Sequence, residues 1–255
     1  MEQKILKRED FSKFLNTLKL FQEHCTDCEI SNGIIRQRSN DRHSIFEMDL
    51  TSVIGDTSFL FVLIKNKIGL LKAFELDTTT IPEGSDQNIS LDIDERNYKF
   101  TDLYSTMKFR IPLKKYLDNV FIDDSEFEGI FKLNEEDLIL STNINSYLTK
   151  RIKAISEGFE NDVITLKMNE FTGDLEAETG NKENNSELVR GIELNAKMPK
   201  CQTRMIVLPF TLELNSDIKI DIYKVSSKVV IGRFQMKFFG VPITMYSQSE
   251  LTTVK

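Results

Sequence analysis

A chain of 255 residues has room for one large or two small domains, and 40% hydrophobic with 29% charged residues is the composition of a globular protein. A formal net charge of −7 argues against a general nucleic-acid binder held by overall positive charge. No apolar run approaches the roughly 18–20 residues of a membrane span, and the first residues carry no apolar signal core. The protein is therefore expected inside the cell, in cytoplasm or nucleus, or in the host cytoplasm if it is viral.

Gln3–Leu6 predicts a short strand, and residues 8–22 a helix. Phe11, Phe14, Leu15, Leu18 and Phe21 recur at the spacing of one apolar stripe, with Lys13 and Asn16 opposite and Lys19 on the flank. Glu9 and Asp10 fall in the first turn, where carboxylates suit the helix dipole. Cys25 and Cys28 then form a CxxC beside His24. A closed zinc site takes about four ligands, and the remaining candidates are only Cys201 and His43, so small residues leading into a strand is the favoured reading and no cofactor is expected.

Cys28–Gln37 reads as strand with the turn signal Asn32-Gly33 inside it. A polar corner at 38–43 leads to Ser44–Leu50, a strand with one buried face. Phe59–Ile64 is continuously apolar, which predicts a strand buried on both faces. It runs into a helix over Lys65–Leu76, with Leu70, Leu71 and Phe74 on its apolar side and Lys65 and Lys72 opposite. After a loop at 77–87, Asn88–Asp94, Tyr98–Thr101 and Thr106–Ile111 alternate as a meander.

The stretch Ile111–Glu136 mixes large apolar residues with acids and has no sustained period. Beyond it the pattern restarts. Asp137–Leu140 predicts a strand, and Asn143 or Asn145 caps a helix running to Gly158, a C′ glycine. Its stripe is Leu148, Ile152, Ile155 and Phe159, with Lys150 and Lys153 opposite and Arg151 at the edge. Val163–Met168 and Phe171–Glu178 form a hairpin, and Thr179–Ser186 a polar loop. Strands follow at Glu187–Ala196, Arg204–Leu208, Ile218–Val225 and Val229–Phe239, with a short helical candidate at Pro209–Leu214 and a last short strand after Pro242-Ile243.

The two halves align at one constant offset: Ile5 with Ile139, Leu6 with Leu140, Ser12 with Ser146, Lys19 with Lys153 and Phe21 with Ile155. This predicts an internal duplication and an α+β fold of two similar domains, each a sheet layer with two helices packed on one face. The expected division is 1–111, a connector at 112–136, and 137–255. Acids are nearly absent from the outward helix faces, although the chain has 40 acids to 33 bases. That segregation predicts a basic surface made of helices, able to attract phosphates without reading bases.

With this architecture the chain resembles the DNA sliding clamps, the proliferating-cell nuclear antigen family and the phage polymerase clamps. Local matches are Gly33–His43, Phe59–Phe74, Tyr104–Pro112 entering an acidic linker, and Gly240-Val-Pro-Ile243. The departure is Pro209–Leu214, which is short and carries no lysine. The resemblance implies a homotrimeric ring and processivity factor for a DNA polymerase, loaded around double-stranded DNA by a clamp loader. It implies DNA-facing roles for Lys13, Lys19, Lys65, Lys72, Lys150, Arg151 and Lys153. It also implies a partner-peptide pocket beside the connector, formed by His43, Leu113, Tyr116, Leu117, Val120, Phe121, Ile122, Val241, Pro242 and Ile243.

Two other classes compete. The chain has only two histidines and lacks GxSxG, P-loop, HExxH and dinucleotide-binding patterns, so an enzyme is not expected. A β-rich assembly protein, such as a virion component, accounts for the strands and the acidity. It does not account for lysine-faced helices at matching places in both halves.

Overall fold

Strand β1 (Glu2–Leu6) leads at once into α1 (Arg8–Gln22), then β2 (Asp27–Ser31), β3 (Ile34–Arg38), β4 (Ser44–Asp49), the single turn α2 (Thr51–Ile54) and β5 (Phe59–Val62). Helix α3 (Lys65–Leu71) continues as a 3₁₀ turn over Lys72–Glu75, and β6 (Ile89–Ile93), β7 (Asn97–Thr101) and β8 (Thr106–Arg110) follow. Next come α4 (Asp124–Ile130), β9 (Leu138–Ile144), α5 (Ser146–Gly158), β10 (Val163–Met168), β11 (Leu175–Asn181) and β12 (Asn185–Leu194). The chain ends with β13 (Gln202–Val207), β14 (Ile218–Lys224), β15 (Val229–Phe238) and β16 (Val241–Thr253). The structure is a computed structural model. It describes residues 2–22, 25–38, 44–63, 65–75, 88–113, 122–130, 133–158, 163–168, 175–181, 185–194, 202–207 and 216–253.

The chain divides into two compact units: Met1–Arg42 with Phe46–Asp124 and Phe239–Pro242, and His43–Ile45 with Ser125–Phe238 and Ile243–Lys255. Strands of the first unit run in the orders β1-β6-β7-β8 and β4-β3-β2-β5. Those of the second run β9-β14-β15-β16 and β12-β11-β10-β13. Substituting β9 for β1, and each later strand for its counterpart, turns one pattern into the other, so the repeat is one of topology as well as of sequence. The second unit adds links. β12 joins β9 through Glu193↔Asn143 and Leu194↔Thr142, and β13 joins β16 through Gln202↔Thr253, Thr203↔Thr252 and Arg204↔Leu251. Among the described residues, the two strand sets of the first unit have no such connection.

The first unit is held by aromatic packing. Phe14 of α1 lies 6.5 Å from Phe61 of β5 and 6.1 Å from Phe100 of β7, and Phe61 stacks on Tyr98 at 5.2 Å. One helix side chain therefore touches both strand sets. Removing a buried Phe of this kind costs about 3–5 kcal/mol. The turn at Asn32 (φ 50°) and Gly33 (φ 76°) has both residues left-handed, as a two-residue hairpin requires. A Cβ on Gly33 would sit 2.1 Å from the Gly55 carbonyl oxygen, so backbone approach as well as φ demands glycine there.

A shared ladder motif marks the duplication. Ile89-Ser90-Leu91-Asp92-Ile93 on β6 answers Ile218-Lys219-Ile220-Asp221-Ile222 on β14, and Lys99-Phe100 on β7 answers Arg233-Phe234 on β15. Asp92 is in register with Lys99 and Asp221 with Arg233. Asp221 is 1% exposed. It accepts a hydrogen bond from Ser141 at 2.7 Å and two from the Arg233 guanidinium at 2.7 and 3.2 Å, and Lys219 is 3.2 Å away.

Several expectations change. The helix predicted over 65–76 tightens to a 3₁₀ turn, so the buried positions are Ile68, Leu71 and Phe74, three residues apart, and Leu70 is 55% exposed. The polar loop expected at Thr179–Ser186 is mostly strand: Thr179 pairs with Glu187, Gly180 with Ser186 and Asn181 with Asn185. The last strand is 13 residues long. The middle stretch contains helix α4, whose Phe127 meets Tyr246 edge-on at 5.0 Å. Asn145 is the cap, its Oδ1 accepting from the Leu148 amide at 2.9 Å. Gly158 is the last helical residue and not a C′ glycine. Pro209–Leu214 lies outside the described residues.

Candidate nucleic-acid interface

Helix α1 buries Phe11, Phe14, Leu15, Thr17, Leu18, Leu20 and Phe21, which leaves a narrow half-exposed strip with Ser12, Lys13, Asn16 and Lys19. Neither lysine there is unoccupied. Lys13 Nζ is 2.8 Å from Asp10, whose hydrogen bond raises the ammonium pKa above its ordinary value. Lys19 donates to Asn16 at 3.1 Å and to Glu75 at 3.4 Å. Glu75 comes from the turn after α3 and also accepts from the Ser12 hydroxyl at 3.0 Å. Arg8 completes this seam, donating to the Phe74 carbonyl and to Asp102 at 3.0 Å.

On the α3 segment Lys72 is exposed and has no partner among the described residues. Lys67, which sequence reasoning did not single out, is half-buried with its ammonium 5.7 Å from the Phe109 ring centroid. Desolvation lowers its pKa. The spacing puts it inside the predicted apolar stripe, three, four and seven residues before Leu70, Leu71 and Phe74, so it does not read as an outward cation. Lys65 belongs to α3, and its side chain lies outside the described set.

On α5, Thr149 and Ile152 are buried, while Tyr147, Lys150, Arg151 and Ala154 are exposed. Lys150 and Arg151 have no partner among the described residues, whereas Lys153 lies 3.8 Å from Glu157 one turn later. The expectation that acids are nearly absent from these faces is therefore corrected: Asp10, Glu75 and Glu157 offset Lys13, Lys19 and Lys153. Of the sequence-predicted DNA-facing cations whose side chains are described, Lys72, Lys150 and Arg151 have no acidic partner among the described residues.

The expected peptide pocket fares differently. Leu113 is 59% exposed and Pro242 is exposed, but Ile122, Val241 and Ile243 are buried at 2%, 0% and 1%. These three therefore present little side-chain surface of their own. Ile122 is held by its amide, which donates to the Arg36 carbonyl at 2.8 Å beside β3. His43, Tyr116, Leu117, Val120 and Phe121 lie outside the described residues. Cys25 and Cys28 are buried thiols, and burial pushes the Cys28 thiol well up. No cluster of three metal-ligating side chains occurs among the described residues, and no helix among them is long and apolar enough to cross a membrane.

Solved structures match this arrangement over its whole length. A chain of the PCNA2–PCNA3 complex from Sulfolobus tokodaii superposes with a TM-score of 0.59 at 15% identity, covering 97% of this chain and 99% of its own. Proliferating cellular nuclear antigen from Entamoeba histolytica gives 0.59 at 14% identity, with 97% and 98% covered. The PCNA of A. fulgidus, solved with the C-terminal region of FEN-1 bound, gives 0.62 at 12% identity with 100% of both chains covered. The chain has the sliding-clamp fold. No family model matches it, and no curated protein matches it in sequence. The clamp fold is thus carried here by topology and core pattern, with 12–15% of residues shared.

Proposed function

We propose that this protein is a sliding clamp and processivity factor. Copies of the chain close into a ring of three around duplex DNA, helix cations meet the phosphates, and replication proteins are tethered on the connector side. The observation that carries the reading is the full-length match to clamp structures combined with uncompensated cations on helices of both units, Lys72 in the first and Lys150 with Arg151 in the second. Few, exchangeable phosphate contacts suit sliding, because none of them fixes a base register. A chain of the matched PCNA2–PCNA3 complex supports assembly with further clamp chains, and the FEN-1 complex supports peptide docking. Strand β8 supports addition of a second copy, since its outer edge is unpaired among the described residues. The protein is not an enzyme in this reading, works inside the cell, and uses 112–136 as the connector between domains 1–111 and 137–255. Leu113 and Pro242 are the exposed apolar contacts for a partner peptide.

Sedimentation equilibrium should give three times the chain mass, and a polymerase of the same source should extend primers further on circular templates when the protein and its loader are added. Replacing Lys72, Lys150 and Arg151 together by Glu should abolish that gain with the sedimentation unchanged. A strict monomer that never lengthens products would sink the reading.

A further inference from the structure

Tyr147 is 69% exposed, more than any other large hydrophobic side chain among the described residues. It sits in the first turn of α5, and Lys150, Arg151 and Ala154 follow it at helical spacings of three, four and seven. All four are exposed, so they form one stripe. Helical side chains lean toward the N-terminus, which brings Lys150 and Arg151 back toward the level of the ring. Neither the ring nor the two cations has a partner among the described residues. The nearby acids are otherwise engaged: Asp217 Oδ1 accepts from the Ser146 amide at 2.8 Å, and Glu157 sits beside Lys153. Ala154 leaves the stripe low at its far end. An unpartnered aromatic ring, two unneutralised cations and a small residue on one exposed helix face match a nucleic-acid strand whose bases are unpaired. The ring supplies a π-face for a base and the cations hold the backbone. A closed duplex offers the cations its phosphates but keeps its base faces stacked inside, so the ring would gain nothing from it.

We infer that the α5 stripe binds single-stranded nucleic acid, with Tyr147 stacking on a base and Lys150 and Arg151 holding flanking phosphates. The inference rests on the reading of α5 as a DNA-facing helix and adds a preference to it: strands with unpaired bases over closed duplex. Such a contact would hold the clamp where duplex gives way to template strand.

Tryptophan is absent from the chain, so Tyr147→Trp makes a sole reporter at the site. A thymidine oligomer of about 20 nucleotides should quench that emission, and a blunt duplex of equal length should not. In anisotropy titrations with the same labelled DNAs, Tyr147→Ala should weaken the single strand roughly 5- to 100-fold and leave the duplex within about two-fold, while Tyr147→Phe behaves as wild type. Lys150→Ala with Arg151→Ala should weaken both DNAs and flatten their salt dependence. An oligomer that binds by anisotropy without quenching, or an equal effect of Tyr147→Ala on both DNAs, overturns the stacking and leaves the DNA-facing role of α5 standing. Loss of neither DNA on removing both cations overturns that role, and the inference with it.

Discussion

The ladders on β6–β7 and β14–β15 place an aspartate opposite a base at matching positions, yet they treat the acid differently. In the second unit every side of Asp221 is used: Ser141 on one neighbouring strand, Arg233 on the other, and Lys219 on its own. In the first unit Asp92 meets Lys99 at 2.8 Å, but its Oδ1 is buried with no hydrogen-bond partner. The difference follows from the donors. A guanidinium offers a planar fork, while an ammonium meets a carboxylate as a point charge. Where β1 carries Gln3 in register with Asp92, β9 carries Ser141, whose hydroxyl reaches Asp221. A buried acid therefore contributes to stability only as far as its neighbours satisfy it.

The largest consequence is for the acids themselves. Asp221→Asn should destabilise the protein by about 3 kcal/mol in urea unfolding, because three charge-assisted contacts weaken together. Asp92→Asn should cost about 1 kcal/mol or less, since Lys99 is 39% exposed and one carboxylate oxygen already lacks a donor. Equal losses would break the comparison.

A pH series tests the same contrast. Burial pushes the Asp221 carboxyl up, but hydrogen bonds from Arg233, Ser141 and Lys219 outweigh it and hold the group below its ordinary 3.8. A depressed carboxylate stabilises the fold fully above its unfolded pKa, near pH 4, and loses that contribution as pH falls through the folded value. The stability gap between wild type and Asp221→Asn should therefore be constant at neutral pH and narrow below about pH 4. A gap that widens with acid contradicts the assignment.

The smallest effect sharpens the picture from the other side. Lys99→Arg brings a second donor toward the orphaned Asp92 oxygen and should stabilise by about 0.5–1 kcal/mol, read as a raised urea midpoint. Arg233→Lys should lose stability by a similar or larger amount.

The duplication was legible in part. The α1 and α5 stripes declared themselves through apolar spacing, and the offset from Ile5–Phe21 to Ile139–Ile155 exposed their kinship. A stronger sign is the pair of ladder segments, Leu-Asp-Ile with Lys-Phe against Ile-Asp-Ile with Arg-Phe. Short strands carry few residues each, so only their register shows that an acid in one faces a base in the next. The α3 face was misassigned at Leu70 because a 3₁₀ turn shifts the period from 3.6 toward 3.0. The occupancy of Lys19 could not be read either. Its acid, Glu75, is distant in sequence, and only the packing of α1 beside the α3 turn brings the two together. The buried state of Val241 and Ile243 was hidden for a similar reason: apolar residues near a proline suit a pocket wall and a core strand equally well.

The open margin of β8 has a consequence for handling the isolated chain. Among the described residues the outer edge of β8 is unpaired, and a row of free amides and carbonyls accepts other strands, which exposes a chain with that edge uncovered to sheet growth. Along that margin Thr106, Lys108 and Arg110 are exposed, while Phe109 turns inward. Two positive charges on a five-residue strand repel a second identical margin, so two β8 edges brought together oppose each other. In the proposed ring a second copy covers this edge, so dilution should lower apparent stability, while the uncovered edge should stay dispersed until salt screens those charges. Turbidity should then rise with ionic strength first in the most dilute samples.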